Sequence, residues 1–405
     1  MKMKKFLAVL MTVVMGGSLV ACGSSDTDQS TNSNSSSNSN SDSNSNADSN
    51  SNSDTKSGDK KTVGIAMPTK SLERWNRDGE YLEAQFKAAG YDVELKYSDN
   101  DTNQQNNDIQ GMIADGVDLL LIAAIDGNTL SQTLAEAKDA NIPVIAYDRL
   151  IMNTDAVSYY VSFDNYTVGK LQGQYVIDEL KLDSEKGPFN IEFTAGDPAD
   201  NNAGYFFNGA YETLESYIKE GKLVIPSGKK TFEQVATPSW STDNALENMQ
   251  NTLASYYSDG TILDVALCSN DSTALGVAQA IKSDYTGGNA PIVTGQDGDI
   301  ANLKNIVDGR QSMTVYKNVN DEAGVTLEVS KAILSGETPD AGLISSLSAE
   351  ATYDTESYDN GVKTVPSYLL VPYVITKDNL DVLVDTGLYK WDSDNKYLES
   401  TASTT

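Results

Sequence analysis

Val117-Asp118-Leu119-Leu120-Leu121-Ile122-Ala123 and, further along, Ile142-Pro143-Val144-Ile145-Ala146-Tyr147 are the runs that decide the fold. Neither alternates polar with apolar side chains, and continuous apolar strands of this kind belong to parallel sheets covered on both faces. Working outward, the spacing predicts a strand over 62–67, an amphipathic helix over 73–89 ended by Gly90, and a strand over 93–97. A helix over 102–114 closed by Gly116 and another over 129–140 complete the series. Strand and helix in alternation build an open, doubly wound sheet. The pattern restarts after Phe163-Asp164-Asn165, with helices over 166–180, 202–219, 245–257 and 272–281 and strands over 189–194, 262–268 and 291–294. Two such series predict an α/β protein of two doubly wound parallel-sheet lobes. A ligand cleft then belongs between the lobes, at the carboxyl ends of the strands.

The composition narrows what such a cleft does. Across 405 residues, Asp+Glu number 58 against 29 Lys+Arg, a formal net charge of -29. A surface this acidic repels phosphate backbones, so nucleic acid is not an expected partner. Histidine is absent, which removes His-based triads, His zinc sites and the commonest acid–base residue. The two cysteines, Cys22 and Cys268, do not have the spacing of a disulfide framework or a metal cluster. Cys268 lies in an apolar run and reads as a buried structural thiol. The Asp- and Asn-rich stretch 98–108 lacks the spacing and glycine of a calcium loop and reads as a helix start capped near Asp101. Asp126-Gly127-Asn128 reads as a turn entering a helix. No cofactor and no metal are expected.

Residues 1–22 have the form of an export signal. Lys2, Lys4 and Lys5 precede an apolar stretch over 6–14, then Gly16, Gly17, Ser18 and Leu19-Val20-Ala21-Cys22. The last four residues resemble a bacterial lipobox, which implies a lipidated Cys22; the plainer alternative is an ordinary signal peptide with a chance cysteine. Residues 23–60 are Ser, Asn and Asp with almost no apolar side chain. They cannot bury enough surface to offset their ordering entropy, and are expected to be a disordered tether. A flexible chain of this length spans on the order of 30 Å. No other stretch is apolar over about 18 residues, the length needed to span a bilayer.

The residues just after each expected strand are carboxylates, amides and cations. They include Glu73, Arg74 and Trp75; Asp148 and Arg149; Asn201 and Asn202; Asn270 and Asp271; Asp297; and Lys317 after a run over 313–316. Sugar hydroxyls require this mixture, since each donates to a carboxylate or amide oxygen while accepting from Arg, Lys or an amide nitrogen. The C–H face of a pyranose packs on a flat aromatic wall, for which Trp75 and Trp240 are the candidates. The third tryptophan, Trp391, lies in a polar tail. Taken singly, Asp and Asn after strands are helix caps or turn formers, and Asp148-Arg149 reads equally well as a plain ion pair. Their concentration at one edge of both lobes favours a binding site.

Certain words in the sequence also resemble those of a known family. They are Val63-Gly64-Ile65-Ala66-Met67-Pro68-Thr69-Lys70, Glu73-Arg74-Trp75, Ala146-Tyr147-Asp148-Arg149-Leu150-Ile151 and Gly187-Pro188-Phe189-Asn190-Ile191. Asp200-Asn201-Asn202, Gly295-Gln296-Asp297, Met313-Thr314-Val315-Tyr316-Lys317 and Val365-Pro366-Ser367-Tyr368-Leu369-Leu370 belong with them. Together they resemble the type I periplasmic sugar-binding proteins of bacterial ABC importers, in the multiple-monosaccharide receptor and D-xylose-binding branches.

The resemblance implies two lobes joined by a three-strand hinge, with crossovers near Asp164, Lys317 and Pro366. It divides the chain into a first lobe of 61–163 plus 318–365, a second lobe of 164–317 plus 366–392, and a polar tail of 393–405. Trp75 and Trp240 then correspond to aromatic plates on opposite faces of the sugar ring. Arg74, Asp148 and Arg149 correspond to first-lobe contacts, and Asn201, Asn202, Asn270 and Asp297 to second-lobe contacts. Lys317 corresponds to the residue reaching the ring-oxygen region. Glu73 and Asp271 either touch ligand or orient a neighbour.

The expectation is a monomeric, non-enzymatic binding lipoprotein outside the cell membrane. It captures an aldose such as xylose, glucose, galactose or arabinose and delivers it to an ABC importer permease. A sensor presenting the closed complex to a membrane receptor shares the same ligand residues. A glycosidase using two cleft carboxylates is the enzymatic alternative. A transcription regulator of this fold is excluded by the export signal and the lack of a basic helical head.

Overall fold

In the computed structural model, which describes residues 60–401, both deciding runs are central strands. The first lobe starts with β1 (Thr62–Met67), α1 (Glu73–Ala88), β2 (Asp92–Tyr97), α2 (Thr102–Asp115), β3 (Leu119–Ile122), α3 (Ser131–Asp139), β4 (Val144–Tyr147) and β5 (Val157–Phe163). The chain then builds α4 (Asn165–Leu180), β6 (Phe189–Thr194), α5 (Asn201–Lys219), β7 (Leu223–Val224), α6 (Phe232–Val235) and α7 (Thr242–Tyr256). After these come β8 (Val265–Cys268), α8 (Asp271–Asp284), β9 (Ile292–Val293), α9 (Ile300–Val307), β10 (Met313–Tyr316) and α10 (Val319–Leu334). The last segment holds β11 (Ala351–Asp354), β12 (Ser367–Leu370), β13 (Tyr373–Thr376), α11 (Asp381–Asp385), β14 (Tyr389–Trp391) and β15 (Leu398–Ser400).

Seven strands in the order β11-β12-β5-β4-β3-β1-β2 form the first sheet, parallel except for the edge strand β11. Alternate residues of its strands feed opposite cores. Ile65, Leu119 and Leu121 pack with Leu82 and Phe86 of α1, while Ala66, Leu120 and Ile122 pack with Ile109 and Met112 of α2. That double coverage is why the runs show no polar alternation. The second sheet, β7-β6-β8-β9, is parallel, and the antiparallel pair β10–β13 adjoins it through a bridge between Gln296 and Val315. Cys268 is buried in the second lobe as a free thiol that burial pushes up.

The helix starts follow side-chain caps. Asp101 accepts from the Asn103 and Gln104 amides, and Gly116 closes α2 in the left-handed region at φ 74°. Asp164 accepts from the Thr167 amide at 2.9 Å, so α4 begins at the first crossover. Asx geometry at Asp126 also forms the expected turn, with its Oδ1 accepting from the Asn128 amide at 2.9 Å.

Several expectations need correction. A strand over 157–163 was not expected; β5 fills it and receives β12 in parallel register, Ser367 against Tyr160 through Leu370 against Phe163. The third crossover is therefore not at Pro366. Residues 367–370 are buried members of the first sheet, and the chain changes lobes at Val371-Pro372 before β13 pairs with β10. Nor is 393–401 only a polar tail: β15 pairs with β14, and Leu398 is buried with Ile375, Leu383 and Tyr389 in the second lobe. Trp391 is half-buried beside that cluster, its Nε1 donating to Asp381 at 2.9 Å. The export signal, Cys22 and most of the tether lie outside the described residues. Among the described residues, no helix is long and apolar enough to cross a membrane.

Candidate functional site

Loops at the carboxyl ends of the strands of both lobes meet at one gap of ≈ 370 Å³ of non-atom space, its mouth included. Leu72, Arg74 and Trp75 enter from the start of α1, and Asp148 and Arg149 from the loop after β4. From the second lobe come Asp200 and Phe206 at the start of α5, Trp240 before α7, Asn270 and Ser272 at the start of α8, and Gln296 and Asp297 after β9. Lys317, at the second crossover, completes the lining.

Arg74 is the electrostatic centre. Its Nη2 lies 2.6 Å from Asp148 Oδ2 and 3.1 Å from Glu322 Oε2, its Nε 3.2 Å from Asp78 and its Nη1 3.3 Å from Asp297. Burial works against its charge, but Asp148, Asp78, Asp297 and Glu322 outweigh it and hold the guanidinium protonated. Burial likewise pushes the Asp148 carboxyl up, yet Arg74, Lys317 and Arg149 prevail and leave it at about 2. Lys317 Nζ sits 3.3 Å from Asp148 and 3.4 Å from Asp297, bridging the lobes at the crossover. Behind the gap, Asp78 and Glu322 are raised by burial, against the pull of Arg74.

Two tryptophans form the apolar part of the lining, 3 % and 4 % exposed for Trp75 and Trp240 respectively. The Arg149 and Arg74 guanidinium carbons lie 4.9 and 5.1 Å from the Trp75 ring centroid, a cation–π arrangement. Trp240 packs edge-on against Phe206 and donates from Nε1 to Asp200 at 3.2 Å. The indole sits so close to the chain at Gly196 that a Cβ there would fall 2.0 Å from its ring. Asp200 also accepts from the Asn202 amide and lies 3.1 Å from Arg149 Nε, without the alignment of a hydrogen bond. Burial raises the Asp200 carboxyl, with Arg149 drawing it back.

Strain gathers at the same place. Asp148, Trp240 and Asp297 have φ of 55°, 52° and 105°, a region that costs residues with a side chain roughly 1–3 kcal/mol. The Asp148 turn is held by its carbonyl, which accepts from Tyr160, Ser162 and Asn202 at 2.6, 2.9 and 2.6 Å. Gln296 Oε1 is a buried acceptor with no partner in the protein, a costly state unless a donor reaches it.

Of the residues singled out in the sequence, the lining includes Arg74, Trp75, Asp148, Arg149, Trp240, Asn270, Asp297 and Lys317. Four others are not part of the lining. Asn202 is buried and braces the Asp148 carbonyl. Asn201 is half-buried in the first turn of α5. The fully buried Asp271 accepts from the Gly298 and Asp299 amides at 3.0 and 2.9 Å, so it orients the Asp297 loop. Glu73 faces Arg77 at 3.4 Å and accepts from the Ile300 amide at 3.3 Å. Asp148 and Arg149 are not a plain ion pair, since each has its own partners. Leu72, Asp200, Phe206, Ser272 and Gln296 were not anticipated, though Asp200 and Gln296 lie inside words quoted for the resemblance. Among the described residues, no group of three or more His, Cys, Asp or Glu side chains could hold a metal ion.

Known proteins share this fold. Residues 63–338 match the family described as periplasmic binding protein domain. The multiple sugar-binding periplasmic receptor ChvE of Rhizobium radiobacter is 46% identical over 340 residues, covering 83% of this chain and 93% of the relative. The D-xylose-binding periplasmic protein of Escherichia coli (strain K12) is 33% identical over 329 residues, covering 81% of this chain and 91% of that one. A solved ABC transporter solute binding protein from Clostridium phytofermentans, with bound β-D-glucose, superposes with a TM-score of 0.77 at 50% identity, covering 83% and 99% of the two chains. By their names these relatives are binding proteins. The chain therefore belongs to the periplasmic binding protein family, with the type I fold, in the branch that holds the multiple sugar-binding receptors and the D-xylose-binding proteins.

Proposed function

We propose that this protein is an extracytoplasmic lipoprotein, anchored through Cys22, that closes around one aldopyranose and delivers it to an ABC importer. The observation that carries the reading is the single gap between the lobes, where Trp75 and Trp240 supply apolar walls and fixed charges supply hydrogen bonds. Asp148, Asp200 and Asp297 accept from sugar hydroxyls; Arg74, Arg149 and Lys317 donate to them. Bonds to charged partners contribute roughly 1.5–3 kcal/mol each, against about 1 for neutral ones. In the closed form the carboxylates are held by cations from the facing lobe, so closure itself fixes the directions of these bonds. Asn270 uses its carboxamide oxygen to cap α8, accepting from the Thr273 amide at 3.0 Å, so its amide nitrogen is the group it offers. Gln296 Oε1 gains the donor it lacks when a hydroxyl enters.

The lobes are each other's lid. A sugar that touches both favours the closed form by the contacts that only closure completes. The bound β-D-glucose of the Clostridium phytofermentans protein and the name of the xylose-binding relative support glucose and xylose as candidates, with galactose and arabinose the further aldoses to compare. Equilibrium dialysis with these four sugars tests the reading. Retention of at least one, recovered chemically unchanged after long incubation, is expected; a folded protein that retains none, or that alters the sugar, contradicts it.

A further inference from the structure

Arg77 does not line the gap, yet it is a buried cation on α1 of the first lobe whose partners stand mostly on the second. Its Nη2 donates to the Asp297 carbonyl at 3.2 Å and lies 3.0 Å from Asp299 Oδ1. Its Nη1 donates to the Gly298 carbonyl at 3.2 Å and to the Tyr389 hydroxyl at 3.0 Å. Tyr389 in turn donates to the Gly298 carbonyl at 3.0 Å, so the hydroxyl and the guanidinium hold one carbonyl together. On its own helix Arg77 meets Glu73, at 3.4 Å, and the Glu73 carboxylate itself reaches the Ile300 amide of the second lobe.

We infer that Arg77, with Glu73 beside it, is a clasp that sets the open–closed equilibrium of the two lobes without touching the sugar. Every one of those second-lobe bonds crosses the interface, so lobe opening breaks them together, while the bonds inside each lobe survive. Asp299 and the Asp297 and Gly298 carbonyls form an acceptor cradle ahead of α9, and Asp271 holds its amides from below. The cradle is thus rigid within the second lobe, and the guanidinium arrives as a fork that matches it. The clasp also gives the C-terminal hairpin of β14 and β15 a role, since that hairpin fixes Tyr389 among Tyr316, Leu383 and Leu398. Closed-state bonds remote from a ligand raise its affinity by lowering the fraction of protein that waits in the open form.

The inference rests on the reading that the lobes close around a sugar, and its test separates the two. Spin labels placed at the exposed Asp139 of α3 and Ser216 of α5, with Cys22 replaced by Ser, read the interlobe distance in the otherwise full chain. Arg77→Ala should need at least about tenfold more glucose for half-closure than the labelled parent, because it removes the cation and leaves Asp299 facing a dry interface alone. Arg77→Lys should recover part of this loss, and Arg77→Ala combined with Asp299→Asn should bind better than Arg77→Ala alone. Half-closure at the same glucose concentration in all variants would overturn the clasp. If the parent closes on none of the four aldoses, the sugar reading has failed, and the clasp is judged without ligand: the parent must then populate short distances more than Arg77→Ala, and equal distributions overturn it.

Discussion

Asp148 Oδ2 stands 2.6 Å from Arg74 Nη2 and 3.3 Å from Lys317 Nζ, which ties the first lobe's strand edge to the crossover. The carboxylate sits on a residue at φ 55°, so the backbone is bent to aim it into the gap. The proposed sugar binding and the acid stability should both depend on this group.

Asp148→Asn keeps the shape and removes the charge. Its carboxyl is held at about 2 in the folded protein against 3.8 ordinarily. Such a group stabilises the fold above pH ~4, and the stabilisation is lost as pH falls toward 2; the difference amounts to about 2 kcal/mol. Urea titrations of the parent should therefore lose stability between pH 4 and 2, and those of Asp148→Asn should lose less. Binding of the preferred aldose should weaken by roughly tenfold in the variant at pH 7.

Gly196→Ala tests the seat of the second aromatic wall. The added methyl would meet the Trp240 ring at 2.0 Å and force it to shift. Overpacking of this kind costs about 1–3 kcal/mol, so affinity should fall about tenfold as measured by calorimetry. Trp240→Ala should weaken binding further, because the wall itself is gone.

Asp299 should give the proposed closure a pH dependence. Burial pushes its carboxyl up to about 7, with Arg77 and Arg74 opposing and Glu73 and Asp297 adding to the rise. Asp271 lies beneath it and Tyr389 beside the same guanidinium. In the open form the carboxyl meets water and titrates near its ordinary value, so closing takes up a proton between pH ~4 and ~7. Sugar affinity should fall as pH rises from 5 to 8, by up to about a hundredfold. Asp299→Asn should flatten that profile; an unchanged profile would remove Asp299 as its cause.

The proposed membrane attachment rests on Cys22. Cys22→Ser should shift the protein from the membrane fraction to the medium or periplasm, read by fractionation and immunoblot, while sugar binding stays as it was. Retention at the membrane would rule out lipidation as the anchor.

Much of this was legible in the residues. The fully covered strands β3 and β4 announce themselves as unbroken apolar runs, and capped helices such as α2 start where their Asp stands. The ends of β4, β8 and β9 could be seen to carry polar groups, so much of the lining was identified. What was hidden depends on contacts between distant segments. Val157–Phe163 has serines within it, and its place in the sheet is created by Ser367–Leu370, so neither the strand nor the true crossover showed locally. Asp200 looked like a plain helix cap, and it is one; only the fold brings Arg149 and Trp240 against its free oxygen. Asn202 and Asp271 carry polar groups at the right strand edge but turn them onto backbone behind the gap. Direction of a side chain is a tertiary property, and strand-end position alone does not reveal it.

The most direct measurement is a crystal structure of the protein grown with D-glucose. A pyranose lodged between Trp75 and Trp240, bonded to Asp148 or Arg149 on one side and to Asn270, Gln296 or Asp297 on the other, is the predicted result. A sugar held by one lobe only, or bound elsewhere with this gap still empty, would contradict the account.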